Sequence, residues 1–241
     1  MTFPRAAFVP AVALALSFGV AANAARAAVV VPGNPETDLK VVADRVHSRV
    51  VVVRADAAVA SSGDPQALGT TVSFGAATLL GDGFAVTALH TVGISLPGKM
   101  VPWKNIQVQV PQNGVVVAEV VAWFPEVDLA LLRLPGTASI SSLPLESQAP
   151  KAGAPLIALG ADEEGIRVIG VASVAASDDA LLLTSNHALD SRYWGGPLFD
   201  AEGNLAGIIL PSTRPTALSA ASLAAMLDGV RHAKKPAAVG I

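Results

Sequence analysis

The sequence predicts an all-β protein, an antiparallel barrel or sandwich with a short C-terminal helix. Three observations carry that expectation. Short apolar runs rich in Val, Ile and Leu recur along the chain, and Gly-, Asn- and Pro-containing turns separate them. Only two stretches show helical spacing. The runs fall into two strand-rich halves, 25–140 and 141–241, with a Pro/Gly/Ser-containing boundary around 135–153.

Residues 1–24 have a different pattern. Arg5 supplies a positive start, Ala6 to Ala21 is apolar, and Ala22-Asn23-Ala24 offers the small residues of a cleavage site. The run is shorter than the roughly 20 residues a spanning helix needs, and Pro10 interrupts it. A signal peptide over 1–24 is therefore expected, with Ala25-Arg26-Ala27 as a second possible cleavage site. The mature chain is expected to be exported, to the periplasm or beyond the cell, with no stable membrane span. Residues 37–47 then place Leu39, Val42, Ala43 and Val46 on one helical face.

Val50 to Val53 reads as a strand, and the small and polar stretch 55–69 reads as a surface loop. Residues 70–80 and 84–89 read as two strands joined through Gly81-Asp82-Gly83, a tight-hairpin signal. Val108 and Val110 alternate with glutamines, and Gln112-Asn113-Gly114 turns the chain into 115–124. Asp128 opens the apolar strand 129–134. In the second half, strands are expected near 155–159, 166–174, 180–184, 196–199 and 205–210. A helix is expected over 223–230, capped by Ser219 or Ser222.

Composition excludes several function classes. Hydrophobic residues make up 52% and charged residues 15%, and the formal net charge is −3. That balance suits neither a disordered tail nor a surface that tracks phosphates, so no nucleic-acid partner is expected. The chain has no cysteine. Disulfides, thiol catalysis and Cys-ligated metals are thereby excluded.

Three segments carry a specific resemblance. Phe84-Ala85-Val86-Thr87-Ala88-Leu89-His90 ends a strand in Thr-Ala-x-His. Glu126-Val127-Asp128-Leu129-Ala130-Leu131-Leu132 contains Asp-Leu-Ala-Leu-Leu. Ser191 to Asp200 contains Gly195-Gly196-Pro197-Leu198. In this order and spacing the chain resembles the trypsin-like serine peptidases, in particular the HtrA/Deg branch. The resemblance implies two antiparallel six-stranded-type barrels, a chymotrypsin-like double barrel. The first half would carry His90 and Asp128, and the second the nucleophile segment.

It also implies site roles. His90 takes the general-base position and Asp128 that of the carboxylate orienting it. The nucleophile position holds Trp194, and the oxyanion-hole glycine two residues earlier is Arg192. Indole has an N–H donor but no lone pair for attack on an amide. Arg192 is expected to strain a backbone conformation that favours glycine. Ser185, Ser191 and Ser212 are the hydroxyls from which a displaced nucleophile would have to come.

His187, near the same segment, raises a metal site with His90 and Asp128, though no motif supports one. No cofactor or metal is expected. The peptide-binding PDZ module that many relatives append is not expected in this chain. The expected function is a pseudopeptidase that binds a peptide or protein, or regulates an active relative, through the old cleft. The alternatives are an active serine endopeptidase with a displaced nucleophile and a structural exported domain without ligand.

Overall fold

The computed structural model describes residues 35–61, 64–145, 148–162, 164, 167–177, 180–185 and 188–232. The leader expected over 1–24 and His187 lie outside them. Residues 33–241 cluster as one compact unit.

Helix α1 (Pro35–Val46) opens the described chain, and a 3-10 turn over His47–Arg49 follows. The first half then contributes β1 (Val50–Ser61), β2 (Asp64–Gly81), β3 (Phe84–Ala88) and a one-turn helix α2 (Leu89–Val92). A ribbon of β4 (Gly93–Leu96) and β5 (Lys99–Pro102) precedes β6 (Lys104–Val110), β7 (Gly114–Val117), β8 (Glu119–Phe124) and β9 (Leu129–Arg133). The second half holds β10 (Pro155–Ala161), β11 (Arg167–Ser177), β12 (Ala180–Ser185), β13 (Pro197–Phe199), β14 (Leu205–Leu210) and β15 (Thr216–Ser219). Helix α3 (Ala220–His232) closes it.

The second half is a closed six-stranded barrel in the order β10-β11-β12-β15-β14-β13. The first is a seven-stranded sheet, β7-β6-β1-β2-β3-β9-β8, curled into a half-barrel. Each has its own interior. Val51, Leu79, Ala85, Val108 and Leu132 pack inside the first, and Leu156, Val174, Leu183, Leu198 and Ile209 inside the second. Period-two alternation produces these interiors. In β6, Ile106, Val108 and Val110 are buried, while Gln107 and Gln109 face outward.

A third apolar cluster joins the halves. Val86, Leu129 and Leu131 of β3 and β9 meet Ile157, Leu159, Phe199 and Ile208 of the barrel. Helix α1 adds Val42, Ala43 and Val46 to it, and Arg45 donates to the carbonyl of Glu202 at 3.3 Å. Ser219 caps α3, its Oγ accepting the Ser222 N–H at 3.1 Å.

The structure corrects one expectation outright. Residues 55–61 and 64–69 are no surface loop. β1 runs on to Ser61 and β2 starts at Asp64, so this stretch is a long two-stranded extension. Its Ala, Gly, Ser and Asp residues have low strand propensity, but antiparallel pairing overrides that preference. The sequence reading also omits β4, β5 and β15, four-residue strands that show no alternation long enough to detect. Among the described residues no helix is long and apolar enough to cross a membrane.

Candidate functional site

His90 is the second residue of α2, directly after β3. Its neighbours Leu89, Thr91 and Val92 are buried, which fixes the turn and leaves the imidazole 47% exposed. The indole N–H of Trp103 donates to the His90 carbonyl at 3.2 Å and ties down the backbone.

Asp128 follows a 3-10 turn over Pro125–Val127 and adopts a left-handed backbone, φ 52° and ψ 44°. Aspartate tolerates that conformation better than most side chains. Its carbonyl accepts the Leu89 N–H at 2.8 Å, and its carboxylate faces back towards α2. Oδ2 lies 2.5 Å from His90 Nδ1, and Oδ1 accepts the His90 backbone N–H at 3.3 Å. With Nδ1–H donating to the carboxylate, Nε2 is left as the proton acceptor. This is the base-and-orienter geometry of a catalytic triad. Strands β3 and β9 pair in register, Ala88 opposite Leu129, so the sheet itself brings His90 and Asp128 together.

The residue immediately before Gly195-Gly196-Pro197 also reaches His90. The Trp194 ring stands 5.5 Å from the imidazole, edge to face at 85°. Its Nε1 is buried without a hydrogen-bond partner, so packing rather than hydrogen bonding holds the indole there. Leaving such a donor unsatisfied costs about 1–3 kcal/mol.

Arg192 differs from its expectation. Among the described residues the non-glycine positions with positive φ are Asp82, Asn105, Gln112 and Asp128; Arg192 is not one of them. Its backbone is therefore not strained in the way a glycine replacement would suggest. Instead the turn closes on Asp190, whose carboxylate accepts the Arg192 backbone N–H at 3.1 Å, Nε at 2.9 Å and Nη2 at 2.7 Å. The hydrogen bond from the guanidinium holds the Asp190 carboxyl below the usual carboxylate range. The Trp194 N–H points to the Ser191 carbonyl at 3.4 Å. The two amides that would form an oxyanion hole thus both donate within their own turn.

Two of the other hydroxyls have hydrogen-bond partners elsewhere. Ser185 donates to the Val171 carbonyl at 2.8 Å, and the Ser212 Oγ accepts the Arg214 N–H at 3.3 Å. Ser191 sits exposed in the turn, its carbonyl used by Trp194.

The sequence reading missed Asp190, Trp103 and the docking of Gly195. Asp190 was detectable as an acid two residues before Arg192. Trp103 lies in a segment without periodicity and gives no such signal. Gly195 (φ +77°) sits against Ala88 and Ala76 of the first sheet, and its carbonyl accepts the Thr78 hydroxyl at 3.0 Å.

Comparison with known proteins agrees with this fold. A family model described as trypsin-like peptidase domain matches residues 69–208. A stretch of 148 residues is 30% identical to the probable membrane transporter protein MamO of Paramagnetospirillum magneticum, covering 56% of this chain and 22% of that protein. The chain therefore spans less than a quarter of that relative's length. The Rv3671c protease from M. tuberculosis in its active form superposes with a TM-score of 0.63 at 20% identity, over 82% of this chain and 87% of that one. Its inactive form gives 0.61 at 19% identity, over 82% and 96%. At such identity the likeness concerns the fold. Matched over more than half its length, the chain belongs to the trypsin-like peptidase domain family.

Proposed function

We propose that this chain is an exported, non-catalytic trypsin-like domain, a pseudopeptidase that binds a peptide or protein segment at the former cleft. The observation that carries the reading is Trp194 packed against His90, with an indole where the attacking hydroxyl would stand. Loss of the nucleophile from such a unit costs around 10⁶-fold in turnover. The turn at Asp190 to Trp194 adds a second obstacle, because its amides are already engaged. His90 and Asp128 are, in this reading, triad remnants. Export rests on the leader pattern of residues 1–24. No transport role is carried over from the relative so described.

A thermal-shift screen of extended peptides against the purified protein tests the binding role. A peptide at about 100 times its Kd stabilises the folded chain by about 2.7 kcal/mol. For a chain of this size that raises Tm by about 5–11 °C. A library that leaves Tm unchanged throughout would instead support a structural domain without ligand.

A further inference from the structure

Helix α3 ends beside an apolar groove that it helps to form. The groove has a volume of about 350 Å³ and lies between α3 and the first sheet. Phe84, Val121 and Leu131 line it from the sheet, Leu143 from the segment between the halves, and Leu227 and Val230 from α3. Leu227 and Val230 share a helix face with Leu223, which is fully buried in the cluster joining the halves. Towards the groove that burial is incomplete. Phe84 and Val230 are only partly buried, and Val121 is 40% exposed.

The two charged residues lining the groove are both engaged. Arg133 donates to Glu119 at 2.6 Å, and the Ser142 hydroxyl donates to the Asp82 carboxylate. A small-molecule site orients its ligand through a few convergent polar groups. This groove offers aliphatic surface instead, which suits an apolar stretch of chain.

Such a stretch leaves from the groove's own wall. The described part of α3 stops at His232, two residues after Val230, and Ala233-Lys234-Lys235-Pro236-Ala237-Ala238-Val239-Gly240-Ile241 follows. Pro236 lacks an N–H and clashes with a preceding helical turn, so a helix does not run on through it. Beyond it there is no charge. In an extended backbone Ala237, Val239 and Ile241 share one side, and Ala238 and Gly240 the other. From His232 back to Leu227 is about 7.5 Å along the helix, and nine residues reach roughly 30 Å. Tethering raises the local concentration of the segment to about the millimolar range, which favours it over a free peptide.

We infer that residues 233–241 turn back at Lys234-Lys235-Pro236 and lay Val239 and Ile241 into the groove of the same chain, with the two lysines in solvent. The inference is independent of the peptide-binding reading, because the groove and the His90 site share no residue.

The chain has no cysteine, so one introduced thiol reports alone. Val121→Cys places it in the groove, and Val115→Cys, at a position 63% exposed and outside the groove, is the control. Modification by a maleimide is timed on the folded protein with residues 233–241 present and deleted. The groove thiol is expected to react about 10-fold faster after the deletion, as a local covering is lost, and the control at one rate throughout. Val239→Asp/Ile241→Asp in the full chain is expected to reproduce the deletion, because an apolar groove does not accept unpaired carboxylates. This variant decides should the deleted chain fail to fold. Equal rates with and without the segment, or protection that survives both aspartates, overturn the inference. So does protection that grows with protein concentration, which would place a second copy's segment in the groove.

Discussion

Trp194→Ser combined with Arg192→Gly is expected to hydrolyse casein about 10²–10³-fold faster than Trp194→Ser alone, with the parent at background. The His90–Asp128 pair is already assembled at 2.5 Å, so a serine beside it meets a base with Nε2 as acceptor. Restoring the hydroxyl addresses the largest loss, on the order of 10⁶-fold. It leaves the oxyanion unsupported, because the Arg192 N–H stays on the Asp190 carboxylate and the guanidinium holds that carboxylate in place. Removing the guanidinium releases Asp190 and frees the amide, and one oxyanion donor is worth about 10²–10³-fold. Steady-state turnover of the three proteins checks this. Equal rates for the single and double variants would show that the Asp190 clasp is no obstacle. Background rates for both would place the loss beyond these two residues.

Gly195→Ala is expected to cost about 2–6 kcal/mol of stability, combining left-handed strain of about 1–3 kcal/mol with overpacking of about 1–3 kcal/mol. A Cβ there would stand 2.5 Å from the Ala88 N and 2.8 Å from the Ala76 carbonyl oxygen. Both are backbone atoms of paired strands and cannot swing aside as a side chain can. Gly153→Ala is the control: φ is +84° there, but nothing lies within 4 Å of its Cβ. It should cost only the strain. Urea unfolding of both variants separates the two contributions. Equal losses would mean that the first sheet yields to the methyl group. The prediction also explains what Gly195 does in a chain without a nucleophile: it docks the second barrel's turn against the first sheet.

Much of this was legible in the sequence for identifiable reasons. His90 closely follows and Asp128 directly precedes largely apolar strands, so their elements could be placed and their meeting follows from β3 lying beside β9. Trp194 was fixed by its position before Gly195-Gly196-Pro197. The 55–69 extension was hidden because small residues favour loops locally, and only the long-range register of β1 with β2 makes them a strand. The Arg192 turn was misjudged because the expected strain concerned one backbone angle. Asp190 offered the amide a partner that needs no glycine geometry.

The most direct test of the central claim, that no hydroxyl in this chain is activated by His90, is fluorophosphonate labelling of the purified parent beside His90→Ala. The probe reacts with an activated serine whatever its position, so it covers Ser185, Ser191 and Ser212 together. The account predicts no labelling of either protein. Labelling of the parent that disappears in His90→Ala would show a working nucleophile and contradict it.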